Sequence, residues 1–190
     1  MKKVVISVVL IALLVLGCFT GEVTTPEETR PEPTTPVNAL KLVEISFNQA
    51  NVDLLKAMLS EDFVFHFDPR DVGQSPPGSS QYIIPETWSY TEFWQTAKKM
   101  FTEAHSISLT IPTNSVGEPD PNETVYEVKN IRITLLVMVD EVSGYLADSG
   151  YCNFEFERYE GKEGKKLWRI NKWWDNTGWT SLGRILASFR

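Results

Sequence analysis

The stretch KLWRINKWWDNTGW, residues 166–179, is the most informative part of the sequence about the fold, because its pattern is typical of a long strand. It holds four of the chain's six tryptophans together with three basic residues. Strand alternation places Trp168, Ile170 and Trp174 on one face and Trp173 and Asp175 on the other. Burial of apolar surface contributes about 25 cal/mol per Å². We therefore predict Trp168 and Ile170 in the core, with Trp173, Trp174 and Trp179 near a pocket mouth or a dimer face.

The segment before this strand predicts its antiparallel neighbour. In residues 144–160, Cys152, Phe154 and Phe156 alternate with polar residues, so they share one strand face. Two glycines in the following turn favour a hairpin. We expect Phe154 and Phe156 to lie opposite Trp168 and Ile170.

The rest of the chain predicts an α+β domain. Apolar residues recur at helical spacing in residues 37–50, 51–60 and 92–104, and Thr91 is the expected N-cap of the third helix. Strand patterns follow at 62–68, 106–112 and 123–140, and Ser181 precedes a short C-terminal helix. This order predicts three N-terminal helices packed on a strongly curved, mainly antiparallel sheet, closed by the short helix. The proline-rich loop 69–89 is long enough to be a lid, a binding loop or a disordered segment.

The N-terminal residues predict that the protein is localised outside the cytoplasm. Two lysines precede an apolar run from Val4 to Leu16, which is typical of a secretory signal. The sequence Val-Leu-Gly-Cys at 15–18 resembles the lipobox of bacterial lipoproteins, so we expect a signal peptide at 1–17 and a lipid on Cys18. Residues 18–36 are rich in threonine, proline and glutamate, which predicts an extended tether. A single folded domain is expected over 37–190, anchored to the membrane of the bacterial cell envelope.

Charge and motifs exclude several function classes. The formal net charge is −7, and loss of Lys2 and Lys3 with the signal peptide makes it −9. Such an acidic chain is poorly suited to nucleic acid. Two histidines far apart in sequence do not indicate a metal site, and no motif for a phosphate-binding loop or a dinucleotide is present. We therefore expect no metal and no cofactor.

Two motifs carry a resemblance to a known superfamily. Residues 168–175 resemble the W-x-I-x-x-W-x-D ending of SnoaL-like domains, and LLKAMLSEDFVFHFDP at 54–69 resembles their passage from second helix to first strand. The chain thus resembles the nuclear transport factor 2-like (NTF2-like) superfamily, which includes ketosteroid isomerase and scytalone dehydratase. The resemblance implies a cone-shaped fold with an apolar pocket. Asp68-Pro69 is similar to the catalytic Asp-Pro of ketosteroid isomerase, but a one-residue shift in spacing would put Phe67 in the position of the base.

The candidate site residues are those expected to point into such a pocket. As pocket lining we predict Trp94, Tyr126, Asp140, Tyr151, Arg158 and Trp174. Asp140, Asp68 and Tyr126 are the acid–base candidates. Apolar surroundings after LLVMV would raise the pKa of Asp140. The alternative for Asp140 is a carboxylate that faces water at the end of a strand.

Three functions fit the sequence. The first is a non-catalytic, lipid-anchored domain that binds a small apolar ligand or an envelope protein, through its cone or its open sheet face. The second is an isomerase, dehydratase or cyclase that works without a cofactor. The third is a structural module that forms a homodimer through its curved sheet.

Overall fold

The computed structural model describes residues 30–176 and 180–190, apart from the side chain of residue 149. Cys18, Trp179, the predicted signal peptide and most of the predicted tether lie outside the described residues. The compact unit runs from Pro31 to Arg190. Its first residues pack on the sheet, where the backbone N–H of Trp168 donates to the Pro33 carbonyl at 2.8 Å. Glu32 accepts from Lys165 at 2.8 Å beside this contact.

Helices form where the apolar spacing predicts them, and side-chain caps set their starts. The helices are α1 (Pro36–Asn48), α2 (Val52–Met58), α3 (Tyr90–Glu103) and α4 (Leu182–Ala187). Thr35, Asn51 and Ser181 cap α1, α2 and α4 as side-chain acceptors. The predicted N-cap of α3, Thr91, is wrong. Ser89 caps this helix because its hydroxyl and the Glu92 carboxylate form a reciprocal capping box.

One mixed sheet carries the strands of the described residues. They are β1 (Leu59–His66), β2 (Thr87–Ser89), β3 (Ser106–Thr110), β4 (Val125–Met138), β5 (Gly144–Glu160) and β6 (Lys166–Asn176). Their order is β2-β1-β6-β5-β4-β3, and β1 and β6 are parallel whereas the other neighbours are antiparallel. The α+β prediction is confirmed. The short strand β2 lies inside the predicted loop 69–89 and was not expected.

A β-bulge in β6 changes which tryptophan faces the core. Phe156 pairs with Ile170 and Glu155 pairs with Lys172, so Asn171 is an extra residue on β6. Its side chain is held on both sides. The Ser60 hydroxyl donates to Asn171 Oδ1 at 3.0 Å, and Asn171 Nδ2 donates to Glu155 Oε1 at 2.7 Å.

The bulge makes part of the predicted face assignment wrong. Strict alternation would group Trp174 with Trp168 and Ile170, but the extra residue reverses the alternation after Asn171. Trp173 is therefore fully buried and Asp175 is 1% exposed, whereas Trp174 lies on the outer face.

The register of the hairpin also differs from the prediction. Phe156 pairs with Ile170 as a buried pair, but Phe154 pairs with Trp173, because the bulge shifts the register between the two pairs. Trp168 instead pairs with Arg158.

The helices, including the short α4, cover the inner face of the sheet. Leu182, Ile185 and Leu186 of α4 are fully buried. The helix approaches so closely that a Cβ on Gly183 would lie 2.9 Å from the ring of Phe65. Among residues 30–176 and 180–190, no helix combines the length and the apolar composition needed to cross a membrane.

Candidate functional site

Aromatic side chains pack tightly on the inner face of the sheet, where the resemblance implies a pocket. The Trp173 ring lies 5.8 Å from Phe65, 5.7 Å from Phe93 and 4.9 Å from Phe154, measured between ring centroids. All four side chains are fully buried. These separations are those of direct aromatic contact. The centre of the inner face is thus occupied by the protein's own rings.

Asp68, the first acid–base candidate, belongs to a turn. It is 3% exposed, and its carboxylate accepts from the Arg70 N–H at 2.9 Å and forms an ion pair with the Arg70 guanidinium. Phe67, which precedes it, packs edge-on against Trp88 at 4.6 Å. Phe67 therefore packs in the aromatic interior. The Asp68 carboxylate instead binds Arg70, two residues along the chain.

Asp140, the second candidate, lies in the exposed turn between β4 and β5. Its Oδ1 accepts from the Val142 N–H at 2.8 Å and from the Ser143 N–H at 2.7 Å. These backbone hydrogen bonds favour the carboxylate and hold the pKa of Asp140 below its usual value. Of the two alternatives for Asp140, the structure shows the carboxylate that faces water at the strand end, and not the side chain in apolar surroundings with a raised pKa.

Tyr126 and Arg158 meet around Trp168. The Tyr126 ring lies 6.4 Å from the Trp168 ring, and the Arg158 guanidinium lies 4.5 Å from its centroid. Arg158 Nη1 also donates to the Pro121 carbonyl, and Arg158 lines a surface cleft of about 360 Å³ with Lys166. Tyr126 and Arg158 were both predicted to line one pocket. They do lie together, at the edge of the core.

The remaining predicted pocket residues lie apart. Trp94 is on the half-buried side of α3, and Lys56 of α2 lies 4.7 Å from its ring. Tyr151 is 49% exposed on the outer face of β5. Trp174 is on the outer face of β6. The predicted set is therefore not a single pocket, because strand parity and the bulge place its members on opposite sides of the sheet.

Two adjoining clefts on the outer face form the candidate site, which we call the Trp174 groove. The first, of about 380 Å³, is lined by His66, Phe67, Pro69, Val72, Glu86, Trp174 and Asn176. The second, of about 220 Å³, is lined by Glu127, Lys129, Asn153, Phe154, Trp174 and Asn176. Trp174 and Asn176 line both clefts, so they join the two into one groove.

Strand register brings the central residues of the groove together. His66 of β1 pairs with Trp174 of β6, and Trp174 pairs with Asn153 of β5. The His66 and Trp174 rings stack at 5.1 Å with an interplanar angle of 13°. Asn153 Oδ1 accepts from the Asn130 N–H at 2.8 Å, and Asn130 has a positive φ of 58° in a bulge of β4. Both contacts fix side chains of the groove in place.

The electrostatics of the groove favour an uncharged histidine. Partial burial, and then the positive charge of Lys172, lower the pKa of His66 from 6.5. Lys172 Nζ lies 5.9 Å from the centroid of Trp174 and forms an ion pair with Glu155 at 3.1 Å. His66 is thus mainly neutral at neutral pH.

The opposite face of β6 anchors α4 through a buried carboxylate. Asp175 Oδ2 accepts from the Gly183 N–H at 2.6 Å, and the Cys152 thiol lies 3.9 Å from Asp175 Oδ1. Burial raises the pKa of Cys152 well above its usual value, which keeps it a thiol. Within the part of the chain that the structure describes, no group of three or more His, Cys, Asp or Glu side chains is placed to hold a metal.

Of the residues predicted as pocket lining, the groove contains Trp174, and its central neighbours His66, Asn153 and Asn176 were not predicted. The alternating pattern of the first strand places His66 opposite the phenylalanines, but nothing in that strand indicates a stacking partner. The only available signal was the excess of aromatic residues on both faces of 166–179.

The fold is similar to several solved structures. A proposed aromatic ring hydroxylase of Novosphingobium aromaticivorans aligns with a TM-score of 0.51 at 10% identity, covering 80% of this chain and 92% of that one. A proposed scytalone dehydratase of the same organism gives 0.48 at 11% identity, over 72% and 76% of the two chains. An NTF2-like superfamily protein of Salmonella enterica gives 0.49 at 11% identity, over 77% and 92%.

Sequence comparison adds no family of its own, since no family model matches the chain and no curated protein matches it closely enough to count as a relative. The element order, the mixed sheet with helices on its inner face and the structural similarity agree with one another. This chain therefore shares its α+β fold, a mixed sheet covered by helices on its inner face, with the proposed aromatic ring hydroxylase.

Proposed function

We propose that this chain is a non-catalytic binding protein of the bacterial cell envelope, anchored through a lipid on Cys18, and that it binds its partner in the Trp174 groove. One observation carries the proposal. Trp173 is fully buried, while the next residue, Trp174, stands on the outer face between two clefts. A large aromatic side chain with adjacent polar groups in a concave surface is a common feature of binding sites.

The packed inner face supports a site on the outer surface. A ligand between Phe65, Phe93 and Trp173 would have to displace fully buried rings that are in contact with one another. This packing gives less support to a small apolar ligand inside the cone than to a partner at the groove.

The acid–base candidates support binding over catalysis. Asp68 is ion-paired with Arg70, and Asp140 accepts two backbone N–H groups in a turn. Tyr126 packs on Trp168 at the edge of the core. A general acid and base must both reach one substrate, and these three side chains lie in different parts of the domain.

The test of this proposal is retention on envelope material. The full chain in detergent would be mixed with detergent-washed envelopes from the cells that make the protein, and pelleted. We expect the wild type and Trp94→Ala to pellet and Trp174→Ala to remain in solution. Trp94→Ala is the matched control, because it removes a half-buried tryptophan on the helical side of the sheet. Equal retention of the two variants would contradict the proposal.

The lipid anchor has its own test. Cys18→Ala removes the only side chain at which the lipobox-like sequence could be acylated, so we expect the variant to lose its lipid and leave the membrane fraction. Mass spectrometry of the intact chain and fractionation of cells would measure both effects. A variant that stays acylated and membrane-bound would show that the anchor lies elsewhere.

Homodimerisation through the outer face is a second candidate. Leu136 of β4 pairs with Leu146 of β5, and the two are 37% and 48% exposed. Exposed apolar pairs on a sheet favour contact with another surface. The mass of the chain by light scattering, with Leu136→Asp as the variant, would test this: a monomeric mass for the wild type excludes the dimer.

A further inference from the structure

We infer that the ligand of the Trp174 groove is a neutral oligosaccharide, which stacks on Trp174 and hydrogen-bonds to Asn153 and Asn176. The inference rests on the proposed function and names the class of ligand for the same site.

The aromatic residue is suited to a sugar ring. A pyranose presents a flat face of C–H groups, and such a face packs on an exposed aromatic ring while its hydroxyls remain in water. The Trp174 ring is already fixed in position, since it stacks on the His66 ring with 5.1 Å between the centroids. A side chain that is already fixed loses little conformational freedom when a ligand binds.

The polar side chains beside Trp174 match hydroxyl groups. An asparagine amide donates and accepts hydrogen bonds, as a sugar hydroxyl does, and Asn153 and Asn176 both line the groove. Because Asn153 Oδ1 already accepts from the Asn130 N–H, its Nδ2 is fixed as the donor. Glu86 and Glu127 provide carboxylate acceptors at the two ends of the groove.

The charges of the groove favour an uncharged ligand. The chain has a net charge of −7, and two glutamates line the groove, so an anionic polymer would be repelled. The lysines beside Trp174 are ion-paired, Lys129 with Glu127 at 2.6 Å and Lys172 with Glu155 at 3.1 Å, so a charged ligand would have to compete with a partner already in place. An uncharged ligand leaves both ion pairs intact.

The direction of the groove favours a saccharide over an extended peptide. Peptides commonly add a strand to the open edge of a sheet. The groove instead crosses β1, β6 and β5, which are interior strands whose backbone groups are paired on both sides. Because the two clefts share Trp174 and Asn176, a chain of several sugar units can run through both.

The test uses three uncharged probes, chitohexaose, cellohexaose and maltohexaose, with oligogalacturonate as the acidic probe. Binding to the full chain would be measured by calorimetry in a detergent that has no sugar headgroup. We expect at least one neutral hexasaccharide to bind with a dissociation constant of about 1 mM or below and oligogalacturonate not to bind. Trp174→Ala should weaken binding by at least about tenfold, and Asn153→Ala by several-fold. Trp94→Ala should leave it unchanged.

Two results would overturn the saccharide inference. One is the absence of binding by all three neutral probes, and the other is equal binding by wild type and Trp174→Ala. If envelope retention still depends on Trp174 in that case, the proposed function stands and only the ligand class is wrong. Loss of retention after protease treatment of the envelopes would identify a protein partner instead. If neither retention nor sugar binding depends on Trp174, both proposals fail.

Discussion

Replacement of two adjacent tryptophans by alanine should have very different effects on stability. Trp173 and Trp174 are neighbours in sequence, but the bulge at Asn171 places the first in the core and the second on the outer face. We expect Trp173→Ala to destabilise the domain strongly and Trp174→Ala to destabilise it little.

The structure sets the size of the two effects. Trp173 is fully buried and contacts Phe65, Phe93 and Phe154, so its truncation leaves a large cavity that costs about 3–5 kcal/mol. Trp174 is only partly buried, and its stack on His66 is worth about 0.5–1.5 kcal/mol beyond the apolar area that it buries, so its truncation costs less. Domains of this size are stable by only about 5–15 kcal/mol, so the first variant should lose a large share of its free energy of unfolding.

Urea unfolding followed by far-ultraviolet circular dichroism would measure both variants without relying on tryptophan fluorescence. With a slope of about 2 kcal/mol per M, the midpoint should fall by roughly 2 M for Trp173→Ala and by less than about 1 M for Trp174→Ala. Equal shifts, or a larger shift for Trp174→Ala, would show that the bulge does not place the two rings as described.

Three other predictions follow from contacts around the groove and α4. Gly183→Ala should cost about 1–3 kcal/mol in urea unfolding, because the new Cβ would lie 2.8 Å from Phe67 Cδ1. Combined with Phe67→Leu it should cost less than the two single changes together, whereas simple additivity would contradict the steric cause. The pKa of His66, measured by NMR titration, should lie below 6.5 and rise in Lys172→Ala without reaching 6.5, since burial is the larger cause. Because the fold favours neutral His66, its contribution to stability is complete above pH 6.5 and is lost as the pH falls through the lowered pKa; the reverse slope would contradict this. Cys152 should resist a thiol reagent in the folded chain and react in urea, and rapid labelling of the folded chain would show that it is not buried.

The fold could be predicted from the sequence because its signals are periodic. Helical spacing located α1 to α3, and Ser181 correctly marked the start of α4. The three-residue strand β2 was missed because its pairing with β1 depends on the tertiary structure and not on its own three residues.

The groove could not be predicted because it depends on a single irregular residue. Alternation is reliable only while the register is continuous, and the extra residue Asn171 exchanges the faces of Trp173 and Trp174. Asp140 was misplaced for a different reason, since the apolar run before it ends one strand and the next turn provides its hydrogen-bond donors.

The parallel pairing of β1 with β6 has a consequence for the order of folding. The first strand of the domain, Leu59–His66, acquires its central neighbour only when Lys166–Asn176 is present, about a hundred residues later. Contacts between such distant segments form slowly, since a long loop must close first. The aromatic core cannot be completed on a partly synthesised chain, which therefore remains unfolded until its last strand is available. Truncation before Lys166 should therefore leave Leu59–His66 without its central partner and the aromatic core incomplete, whatever the stability of the helices that precede it.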